Sequence, residues 1–177
     1  ELIIGHNVIS FDIPAIQKVF PDFNPVNIFD TLVASRLIWS DIKDRDFKFH
    51  KHTNFPTNLI GKHSLKAWGY RLGILKGDFA DSTDWKEWSE EMTTYCARDV
   101  EVTAKLYERI IDKKYSDKAL KLEHKFAQCI WEQEKHGFYF DVKKAQKLNS
   151  KLAQRRLELE GDLRKVFTDW EKELPDF

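Results

Sequence analysis

The sequence predicts an α/β protein dominated by helices, with one or two short parallel strands near its start and a long helical hairpin at its end. Three observations carry this reading. A short apolar run rich in β-branched residues, "ELIIGHN", opens the chain. Strand-like and helix-like stretches then alternate as far as "NIFDTLVASRLIW". From about residue 116 an apolar spacing of three and four takes over and persists almost to the end.

In order, "ELIIGHN" reads as one buried strand closed by the polar residues His6 and Asn7. "FDIPAIQKVF" reads as a short helix, with Asp12 as its cap and Pro14 tolerated in the first turn. The loop "PDFNPVN" leads to a brief strand that passes into a helix capped by Asp30 or Thr31, with Leu32, Leu37 and Ile38 facing inward. Residues 41–63 show no clean period and are expected to form a long irregular insertion. His50, His52 and His63 there lack a cysteine or carboxylate at ligand spacing, so they read as loop residues. "HSLKAWGYRLG" is a helix through Leu65, Trp68 and Leu72, stopped by Gly73. A Trp-rich turn, "DSTDWKEWSEE", delivers the chain to the helix "EEMTTYCARDVEVTAKLYERI", whose core face is assigned to Met92, Val100, Thr103, Leu106 and Tyr107.

A boundary near residue 116 divides a first domain, 1–116, from a helical hairpin, 117–177. "DKALKLEHKFAQCIWEQEKHG" is amphipathic through Leu120, Phe126, Ile130 and Trp131 and stops at Gly137. Asp141 then caps a helix to about Glu173, with a stripe of Ala145, Leu148, Leu152, Leu159, Leu163, Val166 and Trp170. At roughly 32 residues and about 1.5 Å each, this is a rod of about 48 Å whose single stripe needs a partner. The hairpin is therefore expected to be the base of a larger domain.

The 177 residues, 42% of them apolar, suffice for one domain or one domain with an appendage. Lys and Arg number 29, as do Asp and Glu, so no whole-chain field draws the protein toward nucleic acid or membrane. Any polyanion site must be local or depend on bound cations. Cys96 and Cys129 lie in helical patterns without metal-type spacing, which points to reduced thiols in a cytosolic compartment. No apolar run reaches the length needed to span a bilayer, so no membrane partner is expected. The chain opens on Glu1, already in a strand-like run, and ends abruptly on "EKELPDF", so it is expected to be a fragment.

Two places carry chemistry. Tyr95 and Asp99, four residues apart, stack on one helix face. Asp12 follows directly after a strand and a polar turn, where α/β proteins commonly place ligand groups. Together they form half of a hard-cation site. Magnesium or manganese suits oxygen ligands, and two ions about 3.5 to 4 Å apart can activate water and stabilise the leaving oxygen of a phosphodiester. At this local level the same residues also fit a solvated helix surface.

The stretches "HNVISFDIPAI", "FDTLVASRLIWSDIKDRD", "HSLKAWGYRLGILKGDF", "EEMTTYCARDVEVTAKL" and "EKHGFYFDVKKAQKL", in this order, resemble the proofreading exonuclease and early thumb of the family A DNA polymerases of T-seven-like phages. The resemblance covers almost the whole chain. It implies an incomplete ribonuclease-H-like (DnaQ-like) fold and a 3′–5′ exonuclease of the DEDDy type, using two Mg2+ or Mn2+ ions in the complete domain. Asp12 matches the second exonuclease motif and would help hold the second ion, largely through water. Asp99 matches the metal-binding aspartate of the third motif, and Tyr95 its water-positioning tyrosine. Asn7, with His6 beside it, falls near the terminal nucleotide. Phe11 stands where relatives often have tyrosine; its ring can stack on a base or sugar but cannot donate a hydrogen bond. Asp30 belongs to a familiar "DT" pair, with helix capping as its role.

The implied partners are the single-stranded 3′ end of DNA, a primer-template and the rest of the polymerase, in the cytoplasm of a phage-infected bacterium. The first motif, an Asp-x-Glu on an opening strand, has no candidate here and is expected upstream of Glu1, so this chain alone should be weak or inactive. The alternative is a catalytically silent DNA-binding or structural module derived from the fold. Asn7, Asp12, Tyr95 and Asp99 together favour descent from an active enzyme. "AWGYRLG" and "FDTLVASRLI" favour the phage polymerase over a ribonuclease D-like exonuclease. The final helix would pack against the rest of the thumb, or touch duplex phosphates through Lys143, Lys144, Lys147, Arg155 and Arg156.

Overall fold

Two short strands, β1 (Leu2–Gly5) and β2 (Asn27–Asp30), pair in parallel, Leu2 opposite Asn27 and Gly5 opposite Asp30. Parallel neighbours need a crossover, and helix α1 (Asp12–Val19) lies within it. This is a computed structural model, and it describes residues 1–74 and 88–167. Seven α-helices accompany the two strands in the sequence of elements among the described residues, the helix-dominated α/β composition that the sequence predicts.

Asp12 is not the cap of α1. The cap position belongs to Phe11, with no side-chain cap bond, and Asp12 is the first helical residue. The preceding turn supplies the start instead: Phe11 N–H donates to Asn7 O at 3.1 Å and Ile13 N–H to Val8 O at 3.0 Å. Helix α2 (Thr31–Ile38) follows β2 without a loop, and Asp30 caps it, accepting from Leu32 N–H at 2.9 Å. Its innermost residues are Thr31, Ala34 and Ser35. Leu37 and Ile38 pack half-buried against the core, whereas Leu32 lines a surface groove beside Asn7.

Residues 41–63 are not an irregular insertion. They contain helix α3 (Ile42–His50) and a 3-10 turn (Thr57–Leu59). The period is hidden because one of the two inward positions of α3 is a carboxylate, Asp46, four residues after Ile42. Arg71, at the end of helix α4 (Leu65–Arg71), forks onto it, Nε to Oδ1 at 2.9 Å and Nη2 to Oδ2 at 2.7 Å. Gly61 N–H adds a bond to Oδ2 at 2.8 Å. Ser64 caps α4, and Gly73, at φ +73°, ends it in the left-handed region.

Most of the expected Trp-rich turn lies outside the described residues. Helix α5 (Glu90–Asp112) begins at the Ser89 cap and buries Val102, Leu106 and Ile110. Val100, assigned to its core face, is 69% exposed. The assigned face was rotated: Met92, Tyr95, Asp99, Thr103 and Tyr107 form a half-buried flank beside the buried row. Helix α6 (Asp117–His136) turns Leu120 and His124 inward, with Ala127 and Trp131 partly buried, while Phe126 is 58% exposed and Ile130 also faces solvent. Ala34, Trp39, Ile42, Trp68, Val102, Leu106, Ile110 and Leu120 form the main core.

The expected boundary near residue 116 falls inside the first of two compact units, Glu1–His136 and Gly137–Phe177. The second unit carries helix α7 (Val142–Val166), about 37 Å long at 1.5 Å per residue. Asp141 caps it by accepting from Lys144 N–H at 3.0 Å, as its place before the helix predicts. None of its residues is buried, and Leu148, Leu152, Leu159 and Leu163 all face solvent. Arg155 and Arg156 pair with Glu158 and Glu160. Trp170 and Glu173 lie outside the described residues. Among the described residues no helix is long and apolar enough to cross a membrane.

Candidate active site

The site is built on the turn that leaves β1. A Cβ on Gly5 would stand 2.6 Å from Val8 Cβ, so only glycine lets the strand double back this closely. Asn7 takes φ +67°, a left-handed conformation that asparagine tolerates better than most residues. The buried Asp30 carboxylate fixes the turn from across the strand pair, accepting from Asn7 N–H at 2.9 Å and Ile9 N–H at 3.2 Å. The expected capping role of Asp30 is therefore half of what it does. Thr31 Oγ1 donates to Gly5 O at 3.0 Å, so toward His6 it can only accept, and the 3.0 Å bond between them places the His6 proton on Nδ1.

Beyond the turn, Asp12 from α1 and Asp99 from α5 line one groove of about 630 Å³, together with His6, Thr103 and Tyr107. Two carboxylates 87 positions apart in sequence, on separate helices, thus line the same groove with residues of β1. Burial pushes the Asp12 carboxyl above the usual aspartate range, and the Asp30 charge pushes it the same way against a backbone hydrogen bond that lowers it. A nearby cation would act in the opposite direction and favour its ionised form.

Tyr95 sits one turn before Asp99 on the same half-buried flank. It is not among the residues that line the Asp12–Asp99 groove. Asn7 faces a neighbouring groove with Ile9, Ser10 and Asp30, and Phe11, 67% exposed, stands immediately before Asp12. His50 Nδ1 donates to Phe55 O, and His63 bonds Ser35. Among the described residues no three His, Cys, Asp or Glu side chains converge as a ready-made metal cage. The donor set nevertheless suits a hard cation: magnesium is commonly held by one or two carboxylates, completed by water and substrate phosphate.

Sequence reasoning missed His124. Its Nε2 accepts from Asp30 N–H at 2.8 Å while Nδ1 donates to Leu120 O at 2.7 Å, so a neutral ring satisfies both partners inside the core. The available signal was its place four residues after the buried Leu120, a polar residue on the inward row of an amphipathic helix.

The partial α/β layer with two carboxylates at its strand end has a counterpart among known proteins. Residues 1–114 match the family model of the 3′–5′ exonuclease of family A DNA polymerases, and the chain belongs to this family. The fold is accordingly a partial ribonuclease-H-like exonuclease fold. The chain is also similar to the DNA-directed DNA polymerase of Enterobacteria phage T3, 34% identical over 210 residues. The DNA-directed DNA polymerase of Escherichia phage T7 matches equally, 34% identical over 210 residues. Each alignment takes in 96% of this chain and 30% of the relative, so the chain spans about three tenths of these curated relatives.

Proposed function

We propose that this chain carries the second and third motifs of a two-metal 3′–5′ proofreading exonuclease, as part of a phage replicative DNA polymerase that removes terminal nucleotides from DNA. The observation that supports this best is the single groove shared by Asp12 and Asp99. In this reading residues 1–116 belong to the exonuclease and 117–177 begin the polymerase thumb, in the cytoplasm of an infected bacterium. Asp99 and Asp12 would hold Mg2+ or Mn2+, which would supply Lewis acidity for activating water and for the charge on the departing 3′ oxygen. Tyr95 would orient the attacking water by hydrogen bond, one turn from Asp99. Asn7, His6 and Phe11 would contact the terminal nucleotide, with the Phe11 ring offering a stacking face.

The test follows Mn2+ binding in the presence of a 5′-labelled single-stranded oligonucleotide, and its digestion, in the wild type and in Asp12→Ala, Asp99→Ala and Tyr95→Phe. Weak digestion is expected, abolished in both alanine variants and slowed in Tyr95→Phe, with Mn2+ affinity reduced only in the alanine variants. Unchanged Mn2+ binding and digestion in Asp99→Ala would sink the assignment. DNA binding with no digestion by any form, and Mn2+ binding unchanged by Asp12→Ala and Asp99→Ala, identifies the second reading, a silent DNA-binding module of the same descent.

A further inference from the structure

A second groove, of about 470 Å³, opens between α3, α4 and the C-terminal half of α5, and it shares no lining residue with the Asp12–Asp99 groove. Its volume is in the range of small-ligand sites. Four cations line it, Arg45, Lys48, Arg71 and Arg109, against one carboxylate, Asp46. In a chain of zero net charge this is a local concentration of positive charge. Arg45 is held by Asp41 at 2.9 Å and Arg71 by Asp46. Lys48 and Arg109 have no ion-pair partner among the described residues, so their charge faces outward uncompensated.

The remaining wall is Ile42 and three aromatic residues, Trp39, Trp68 and Phe49, of which Phe49 is 39% exposed. Two buried donors on lining residues, Trp68 Nε1 and Arg71 Nη1, lack a hydrogen-bond acceptor among the described residues. Buried donors of this kind are ordinarily satisfied, so two residues of the lining are short of an acceptor.

We infer that this groove is a second nucleic-acid contact, seating one nucleotide of single-stranded DNA with its base on Phe49 and its phosphate between Lys48 and Arg109. The inference rests on the reading of the chain as a DNA-processing segment. A nucleotide supplies at once the flat face that an exposed aromatic ring takes and the anionic acceptor that the cations take. An acidic peptide supplies only the second, leaving Phe49 uncovered. Arg109 lies ten residues beyond Asp99 on α5, about 15 Å along its axis, so strand bound here is held apart from the cleavage site on the same rigid helix.

The test uses the full chain in EDTA, which removes any contribution of divalent ions, and measures the affinity of oligo(dT) against salt concentration. The double variant Lys48→Glu/Arg109→Glu should bind at least about tenfold more weakly, and its salt slope should be shallower by about 1.4, the share of two phosphate contacts on a single strand. Phe49→Ala should lose about tenfold, the scale of one stacked base. Equal oligo(dT) affinity and slope in wild type and the double variant overturn the groove and leave the Asp12–Asp99 assignment standing. Preference of the groove for oligoglutamate over oligo(dT) also overturns it.

Discussion

Asp30 is the residue whose removal tests the construction of the site most directly. Its carboxylate accepts from the N–H groups of Asn7, Ile9 and Leu32 at 2.9, 3.2 and 2.9 Å, and the fourth contact, to Val33 at 3.5 Å, is too long to count. Asp30→Ala leaves three enclosed donors without an acceptor. At about 1 to 1.5 kcal/mol each, the loss is about 3 to 5 kcal/mol. Asp30→Asn keeps one acceptor oxygen, and should retain about half of that. Urea unfolding followed by circular dichroism measures both. The same substitutions remove the charge that helps raise the Asp12 carboxyl, so in Asp30→Asn the titration of Asp12, read by carbon NMR, should move toward the ordinary aspartate value without reaching it, since burial remains. An Asp30→Ala chain within about 1 kcal/mol of wild type would refute the claim that this carboxylate holds the turn.

Two further outcomes follow from polar groups in the first unit. Asp46→Ala or Arg71→Ala should each destabilise by about 3 to 5 kcal/mol in denaturant unfolding, because each strands a buried charge, whereas the paired change Asp46→Leu/Arg71→Met should recover most of the loss. His63 is held below the usual histidine range, first by burial and then by the Arg71 and Arg36 charges, so the folded chain binds fewer protons there than the unfolded chain. Stability should therefore fall as pH drops from the ordinary histidine pKa toward the lowered one, and His63→Gln should flatten that part of a pH series of unfolding midpoints.

The elements that depend on short-range chemistry were legible in the sequence. The β-branched run gives β1, Asp30 and Asp141 stand where helix caps belong, and Gly73 takes the left-handed conformation that its place after Leu72 suggests. What escaped reading was polar and non-local. Helix α3 hides because Asp46 occupies an inward position, tolerable only through Arg71, 25 residues away. The face of α5 was rotated because its half-buried flank contains Met, Thr and Tyr, which resemble a core row as well as Val102, Leu106 and Ile110 do. At the site, Asp12 and Asp99 could be named from the strand-end position and the resemblance, and their common groove appears only in three dimensions. The His124 contact spans 94 positions, beyond any local pattern.

That contact sets a rule for cutting the molecule. The family match closes at residue 114, yet the imidazole that receives the Asp30 amide lies on α6, which begins at Asp117. Trimming to the matched span would keep Asp12, Tyr95 and Asp99 while removing the imidazole that holds Asp30 behind the turn leading to Asp12, along with Leu120 from the main core. A piece that keeps both contacts has to run past His124, within the compact unit that ends at His136, so homology and packing draw different borders on this chain.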